Sequence, residues 1–382
     1  MKTLTVGIIG AGQLGAFLCE AARKLELKTI VLAQNRTDPA VGVADHCIFG
    51  DLSDPAAIEI LRHTADVVTF EREDIGEGML KELESAAQAK AYAVSPRPYL
   101  LKLLQDKAKQ KRWLVKHGFP TAAFLDGDMF TKEQMVKQFG LPMVQKAKRG
   151  GFDGRGVQIL DESNLDQYWS SGAIIEQCIP YSKEVSTLIA RDAIGNLAFY
   201  PVIEAIAKPG EQVLDCALLP ARISKKQSTK ALQLAASIVS ELQGVGLFAI
   251  EMFITAQGTI LVNEISPRVH NTGHLTLQAC ETSQFEQHLR AICGLGLSSA
   301  QQTVAALCKN VLNESNENAY EDGPFACHHI APGVWFHWYG KEQVGEGRKL
   351  GHITCTADSV EDATMLLETC QTSGGSDKAK AA

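Results

Sequence analysis

The sequence predicts an α/β fold from three local patterns. An apolar run at 3–9 alternates and then becomes wholly apolar, as in a buried parallel strand. It leads directly into glycines at GxGxxG spacing at 10–15, and a helical pattern covers 14–25. Much further along, apolar runs at 247–254 and 259–265 flank a Gln-Gly pair, which is typical of a β-hairpin. Strands therefore alternate with helices and also pair directly.

Length and composition limit the class of protein. At 382 residues, with 45% hydrophobic and 21% charged residues, we expect a soluble globular chain of two or three domains. A formal net charge of -7 disfavours broad nucleic-acid binding. The ten cysteines form no CxxC pair, which disfavours a zinc ribbon or a disulfide framework. The N-terminal apolar run is too short for a signal peptide and no segment is long enough for a membrane span, so we expect a cytoplasmic protein without nucleic-acid or membrane partners.

The glycine turn alone is a weak signal. A dinucleotide site needs an acidic residue about twenty positions on, but the second predicted strand, 29–32, ends in Ala33-Gln34. This disfavours an oxidoreductase, which stays an alternative. Gln13 offers a neutral amide within the turn. The strand at 66–70 ends in Glu71, Arg72, Glu73 and Asp74, either a ligand-facing edge or a solvated turn.

A second glycine-rich segment follows a predicted long helix at 99–117. The strand at 142–145 leads into Lys146, Lys148 and Arg149, and then into GGFDGRG at 150–156. Backbone N–H groups of so glycine-rich a loop can close over phosphates, and the cations beside it favour that interpretation over a flexible surface hairpin.

The predicted hairpin carries one acid in each strand. By alternation Glu251 shares a face with Phe253, and Glu264 with Val262, and the register can bring the two carboxylates together. Such a pair suits Mg²⁺ that bridges nucleotide phosphates. The alternative is a solvent-facing position on an edge strand. Polar and cationic residues crowd the segment from Asn263 to 274, which favours a binding site.

The remaining segments are less specific. The strand at 174–179 and the one that begins at Glu184 could hold an adenine and a ribose, and helices are predicted at 230–242 and 283–292. Strands at 303–312 and 333–339 precede Lys341, Arg348 and Lys349, which form either a phosphate clamp or a solvated basic turn. The last residues are low in apolar content and predicted to be disordered.

Several motifs together resemble the ATP-grasp enzymes, and among them the N5-carboxyaminoimidazole ribonucleotide synthetases of purine biosynthesis. They are GAGQLG, QDKAKQK, KAKRGGFDGRG, EQCI with Glu184, NEISPRVHNTGH, TSQFEQHLRAI, and HWYGK followed by GRKLGH, so the resemblance runs from Val6 to about His352. It implies an ATP-grasp fold of class α/β in three parts. These are a Rossmann-like pre-ATP-grasp domain at 1–95, an ATP-grasp domain at 96–297 with a lid at about 120–185, and a small, mostly β domain at 298–372, before a disordered tail at 373–382.

The resemblance also implies an activity and partners. The family uses ATP, Mg²⁺ and bicarbonate to carboxylate the exocyclic amine of 5-aminoimidazole ribonucleotide, and it works as a homodimer. Bicarbonate is a poor electrophile, so ATP first phosphorylates it, and the loop then keeps water from the reactive carboxyphosphate.

Residue roles follow position by position from the resemblance. It assigns ATP binding to Lys107, Lys146, the loop residues Gly151, Phe152, Asp153, Gly154, Arg155, Gly156 and Val157, the strand residues Glu176, Gln177, Cys178 and Ile179, and to Glu184, Asn263 and Glu264. It assigns ribonucleotide binding to Gln13, Leu14, Glu71, His270, Asn271, Lys341 and Arg348. Glu251 and Glu264 would bind Mg²⁺, Arg268 would stabilise the bicarbonate-derived intermediate, and Asp153 is the candidate base near the amine.

The chain departs from the family pattern at Arg72, Val157, Ala205 and Ala207, the last two where the family usually has Asn and His. Three alternatives to the synthetase remain. They are formate-dependent glycinamide ribonucleotide transformylase, a dinucleotide-dependent oxidoreductase and a catalytically silent binding protein with the same fold.

Overall fold

The strands of the described chain form three sheets. A computed structural model describes residues 3–52, 54, 56–89, 92–151, 156–208, 213–313, 323–342, 345 and 347–372. The predicted disordered tail, 373–382, lies outside these residues. The three sheets have five, ten and four strands, and helices cover them, so the predicted α/β class is confirmed.

The elements are numbered along the chain. The strands are β1 Thr5–Ile9, β2 Lys28–Ala33, β3 His46–Phe49, β4 Val67–Phe70, β5 Ala93–Val94, β6 Phe124–Asp126, β7 Met143–Ala147, β8 Val157–Leu160, β9 Ala173–Gln177, β10 Tyr181–Arg191, β11 Leu197–Phe199, β12 Ile203–Ala207, β13 Leu214–Leu219, β14 Gly246–Thr255, β15 Ile260–Ser266, β16 Ala305–Leu312, β17 Ala326–Ala331, β18 Val334–Trp338 and β19 Lys349–Ala357. The helices are α1 Gln13–Lys24, α2 Ala56–Thr64, α3 Glu77–Gln88, α4 Pro98–Leu104, α5 Lys107–Lys116, α6 Lys132–Phe139, α7 Lys225–Leu242, α8 Thr276–Ala279, α9 Gln284–Ile292 and α10 Val360–Thr372.

The first sheet is parallel, in the order β3-β2-β1-β4-β5. Its central strand β1 is buried from Val6 to Ile9, as its continuous apolar run requires. The glycine turn joins β1 to α1 at the carboxyl ends of the strands. This is the edge at which open α/β sheets bind ligands.

The ten-stranded sheet contains the predicted hairpin, β14 and β15, at one edge. Its order is β15-β14-β10-β12-β13-β16-β19-β18-β17, with β11 paired to β10. Strand β13 pairs with β16, where Leu218 lies opposite Leu307, so the C-terminal strands extend the sheet that holds the hairpin. One continuous sheet thus connects the hairpin with the C-terminal basic turn.

The third sheet is a smaller body with its own core. Strands β6, β9, β7 and β8 pair antiparallel, and helix α6 packs on them. Met135, Met143, Leu160 and Ile175 form a separate buried cluster there. The glycine loop connects β7 to β8, so this body carries the loop.

The prediction of one long helix at 99–117 is wrong. The structure has two helices, α4 and α5, with a break between Leu104 and Lys107. Asp106 is the N-cap of α5, where its carboxylate accepts a hydrogen bond from the backbone N–H of Lys109 at 3.1 Å. An Asp side chain that satisfies free N–H groups favours a new helix start over continuation. Lys107 therefore begins a helix.

No helix in the described ranges is both long enough and apolar enough to cross a membrane.

A buried histidine joins the first two sheets. The Nδ1 atom of His288 accepts the backbone N–H of Leu247 at 3.0 Å, so its proton lies on Nε2, 2.8 Å from the hydroxyl of Thr69. Burial lowers the pKa of His288 to about 4. The neutral ring is therefore the form that links β4, through α9, to β14.

We predict that His288→Gln makes the free energy of unfolding less sensitive to acid. Free imidazole titrates near about 6.5, so between that pH and about 4 the unfolded wild-type chain binds the extra proton and stability falls as the pH is lowered. Removing the imidazole should reduce the slope of the free energy of unfolding against pH by up to about 1.4 kcal/mol per pH unit in that window. Urea unfolding at several pH values measures the slope. His63, whose side chain is 70% exposed, gives the control His63→Gln, and equal slopes in both variants would contradict the assignment.

Candidate functional site

A large cavity lies where the three sheets meet. Its volume is about 1090 Å³, and residues from the glycine turn, the glycine loop, the hairpin and the C-terminal basic turn line it. All four sequence motifs that were singled out independently therefore reach one space.

Most of the predicted site residues line this cavity. They are Gln13, Leu14, Glu71, Lys107, Lys146, Gly151, Val157, Glu176, Gln177, Cys178, Ile179, Glu184, Glu251, Asn263, Glu264, Arg268, His270, Asn271, Lys341 and Arg348. Gly156 lies within the described chain but does not line the cavity. Its carbonyl accepts a hydrogen bond from the N–H of Ala147 at 2.8 Å, at the base of the loop. Phe152, Asp153, Gly154 and Arg155 lie outside the described residues. Ala205, Ala207 and Arg72 line the cavity as well.

The hairpin brings its two acids together, as predicted. Glu251 lies opposite Glu264 in the register of β14 and β15. The prediction that Glu264 shares a face with Val262 is wrong, because the register shifts and Met252 lies opposite Val262. Val262 is buried in the core, whereas Asn263 and Glu264 both line the cavity. A β-bulge thus turns two neighbouring side chains toward one space.

Burial and two neighbouring carboxylates shift the pKa of Glu251. Burial, then the neighbouring carboxylates of Glu184 and Glu264, raises the pKa of Glu251 to about 8. Burial also raises the pKa of Glu184. At Glu264 burial acts in the same direction, but Lys107 more than offsets it and the pKa lies below its usual range. A cation between the acids would relieve this repulsion.

The donor set fits a hard cation such as Mg²⁺. Carboxylate oxygens of Glu251 and Glu264 and the amide oxygen of Asn263 are the ligand types that Mg²⁺ prefers. The described residues contain no group of three or more His, Cys, Asp or Glu side chains that could hold a metal by themselves. The protein would therefore supply part of the coordination shell, and phosphate oxygens and water the rest.

Two lysines balance the acids. Lys107 forms an ion pair and a hydrogen bond with Glu264. Lys146 donates to Asn263 Oδ1 at 2.7 Å and lies 3.0 Å from Glu176. Both ammonium groups border the cavity, where they can also meet phosphate oxygens.

The sequence reasoning missed Lys111. Its side chain is 3% exposed, lies 3.1 Å from Glu176 and donates to the hydroxyl of Thr121 at 2.7 Å. Burial lowers the pKa of Lys111 to about 8. Burial alone would raise the pKa of Glu176, but Lys146 and Lys111 hold it below its usual range. The available signal was spacing, because Lys111 lies four residues after Lys107 and so on the same helical face.

Gln110 fixes the hairpin edge. Strand β15 ends the ten-stranded sheet, so its outer backbone groups need other partners. The Gln110 amide accepts the N–H of Ile265 at 2.8 Å and donates to the carbonyl of the same residue at 3.0 Å. The Thr121 hydroxyl donates to the carbonyl of Val262 at 2.7 Å. Helix α5 therefore holds in place the segment that carries Asn263 and Glu264.

An acidic residue lies under the glycine turn. A Cβ atom at Gly10 or Gly12 would lie 2.6 Å from a Glu71 carboxylate oxygen, so a larger residue at either position would displace the Glu71 side chain. Glu71 is buried, its Oε2 has no hydrogen-bond partner among the described residues, and burial raises its pKa. Nearby, Arg268 Nε lies 2.9 Å from Glu73. Glu71 and Glu73 thus face the cavity and not bulk solvent.

The C-terminal cations reach the same space. Lys341, Arg348 and Lys349 line the cavity, as do His270 and Asn271. The C-terminal cations and the hairpin acids with their lysines therefore line one cavity, and its cationic groups favour anionic ligands.

Three family models match successive parts of the chain. They are a ribonucleotide synthetase preATP-grasp domain at 1–105, an ATP-grasp domain at 112–285 and a phosphoribosylaminoimidazole carboxylase C-terminal domain at 306–365.

Named relatives match almost the whole chain. The N5-carboxyaminoimidazole ribonucleotide synthase of Synechococcus elongatus is 37% identical and the alignment covers 95% of this chain and 94% of the relative. That of Bacillus subtilis is 34% identical, with 91% and 90% covered. The N5-carboxyaminoimidazole ribonucleotide synthetase structure from Thermotoga maritima is 37% identical, covers 97% and 98%, and has a TM-score of 0.85. The Aspergillus clavatus synthase, solved with ADP and 5-aminoimidazole ribonucleotide, is 27% identical, covers 95% and 96%, and has a TM-score of 0.84.

We predict that Lys111→Met lowers the free energy of unfolding by about 3 kcal/mol. The reason is that the buried carboxylate of Glu176 then loses Lys111 and keeps Lys146 as its ion-pair partner. Urea unfolding measures the change. Lys116, exposed on the same helix, gives the control Lys116→Met, which should stay within about 0.5 kcal/mol of wild type. Equal effects at the two positions would show that the Lys111–Glu176 pair contributes nothing specific.

Proposed function

The chain belongs to the N5-carboxyaminoimidazole ribonucleotide synthase family of ATP-grasp enzymes, and from this premise we propose that it carboxylates the exocyclic amine of 5-aminoimidazole ribonucleotide with bicarbonate. It is an ATP-dependent carbon–nitrogen ligase of purine biosynthesis. The observation that carries the proposal is the shared cavity, in which a carboxylate pair with lysines and a distant cationic turn face one space.

ATP occupies the hairpin end in this proposal. Lys107 and Lys146 contact its phosphates, and Glu184, which lines the same cavity, accepts a hydrogen bond from a ribose hydroxyl. The segment from Glu176 to Ile179 offers backbone groups to the adenine. The glycine loop covers the phosphates, and Gly151 and Val157 mark its two ends at the cavity.

Glu251 and Glu264 would hold Mg²⁺, with Asn263 beside them. When bound, it neutralises charge on the transferred phosphoryl group. The chain itself prepares the site: Lys107 keeps Glu264 ionised, while the raised pKa of Glu251, caused first by burial, leaves that carboxylate able to exchange a proton for a cation.

The ribonucleotide occupies the other end. Lys341 and Arg348 bind its phosphate, while Gln13, Glu71, His270 and Asn271 contact the remainder. Leu14, which is buried at the start of α1, packs beside them. The amine of the substrate then lies between the nucleotide end and the glycine turn.

The chemistry couples two transfers. Bicarbonate oxygen attacks the γ-phosphorus of ATP, which breaks the bond to the bridging oxygen and yields ADP and carboxyphosphate. The amine then attacks the carboxyl carbon, directly or after release of CO₂, and inorganic phosphate leaves while the amine loses a proton. Arg268 offsets charge on the bicarbonate-derived intermediate, and Asp153 is the proposed acceptor of that proton.

We place this enzyme in the cytoplasm and propose that it works as a homodimer.

We predict that the purified protein releases phosphate from ATP only when 5-aminoimidazole ribonucleotide and bicarbonate are both present. A matrix in which each substrate is omitted in turn measures this requirement, with formate plus glycinamide ribonucleotide and NADH as further arms. Turnover stimulated by formate and glycinamide ribonucleotide would select the transformylase instead. A response to NADH without one to ATP would select an oxidoreductase.

We predict that Glu264→Gln reduces this turnover by on the order of a hundredfold or more, because it removes a charged metal ligand and the partner of Lys107. Phosphate release measures the rate, and circular dichroism verifies that the fold survives. Glu241→Gln, at a side chain 53% exposed, is the matched control and should keep wild-type rates. Wild-type activity in Glu264→Gln would remove the metal assignment.

A further inference from the structure

Three buried histidine rings stack behind the ribonucleotide end of the cavity. The His274 and His352 ring centroids are 4.5 Å apart with an 11° interplanar angle, and those of His337 and His352 are 4.4 Å apart at 16°. His337 and His352 are register partners on β18 and β19, whereas His274 follows the short turn that carries Asn271. The histidine stack thus joins the central and C-terminal segments.

One end of the histidine stack orients Asn271. Its Oδ1 atom lies 3.2 Å from His274 Nε2 and accepts a hydrogen bond from Gln13 Nε2 at 3.4 Å. Because an amide oxygen can only accept, the proton of neutral His274 lies on Nε2. This arrangement fixes the orientation of the Asn271 amide, so that its Nδ2–H₂ group is the one available to donate to a ligand.

The central ring supports Lys341. His352 Nδ1 lies 2.8 Å from the Tyr339 hydroxyl, and the Lys341 ammonium lies 5.3 Å from the centroid of the Tyr339 ring. Lys341 also donates to the carbonyl of Lys349 at 3.1 Å. A cation over an aromatic face is held by the negative charge of that face, so the Tyr339 ring sets where Lys341 can lie.

Helix α1 enters the same cluster. Phe17 lies four residues after Gln13, on the same helical face, and its ring is 5.3 Å from that of His274 and 5.9 Å from that of His352. Three cavity residues, Gln13, Asn271 and Lys341, are therefore each supported by a contact with this cluster.

Packing alone does not account for imidazoles at these positions. His274 Nδ1, His337 Nδ1 and His352 Nε2 are buried without a hydrogen-bond partner among the described residues. Apolar rings would fill the same volume without burying unpartnered nitrogen atoms, which cost free energy. Burial, and then neighbouring imidazoles, lower the pKa of both His274 and His352, so the rings that bear these contacts are neutral.

We propose that the His274–His352–His337 stack is a positioning device that holds Gln13, Asn271 and Lys341 in one fixed relation around the ribonucleotide. The inference rests on the proposed function, since it concerns the same substrate. His274 and His352 act through other side chains and are positioning residues.

The test separates the two substrates kinetically. His274→Phe keeps an aromatic ring but removes the donor to Asn271, so the KM for 5-aminoimidazole ribonucleotide should rise about tenfold while the KM for ATP stays within about twofold. His274→Gln, which retains a donor at the Nε2 position, should restore most of the loss. His329→Gln, on the exposed side of β17, is the matched control and should leave both constants unchanged.

Tyr339→Phe is the second variant, and it decides the question if His274→Phe does not fold. It removes one hydroxyl from an otherwise unchanged ring and should raise the same KM several-fold. The inference would be overturned if wild type is active and the folded variants show no change in either KM, for the ribonucleotide or for ATP. It would also be overturned if both KM values rise together. Wild type without ribonucleotide-dependent turnover would instead overturn the proposed function, and the inference with it.

Discussion

The ion pair between Lys107 and Glu264 is the interaction on which the site depends. Glu251 lies opposite Glu264 in a largely apolar hairpin, and two buried like charges repel strongly unless each is balanced. Lys107 balances one of them, and burial leaves the other with a pKa of about 8. The hairpin therefore holds one fixed negative charge and one carboxylate that can respond to a cation. Such an unequal pair is compatible with the proposed Mg²⁺ site.

The position of that pair depends on helix α5. Lys107, Gln110 and Lys111 lie on one face of the helix, and their partners are Glu264, the backbone of Ile265, and Glu176. The helix thus covers the open edge of the large sheet and connects it with the smaller sheet that carries the glycine loop. Because the edge strand is bonded to a rigid helix, its bulge keeps Asn263 and Glu264 directed at the cavity.

Local sequence patterns predicted where helices and strands occur better than where these elements are interrupted. The glycine turn and the hairpin follow from short-range rules, and so the acids could be paired from the sequence. The bulge after Glu251 and the helix break at Asp106 depend on competing hydrogen bonds that periodicity does not record. Lys111 looked like a surface lysine, because its partner Glu176 is 65 residues away in the sequence, on strand β9. The histidine stack unites three motifs whose separate patterns contain no sign of contact.

The two ends of the cavity meet opposite physical requirements. In the proposed function the ligands at the hairpin are a cation and phosphates, so the protein must bury charge and keep it balanced, which the lysines do. At the proposed ribonucleotide end three chain segments converge, and a displacement of one of them would separate Gln13, Asn271 and Lys341 from a common ligand. Positional errors of about 1 Å can cost large factors in rate. Neutral stacked rings suit that task, because they pack closely without charge repulsion, hydrogen-bond to Asn271 and Tyr339, and contact helix α1 through Phe17.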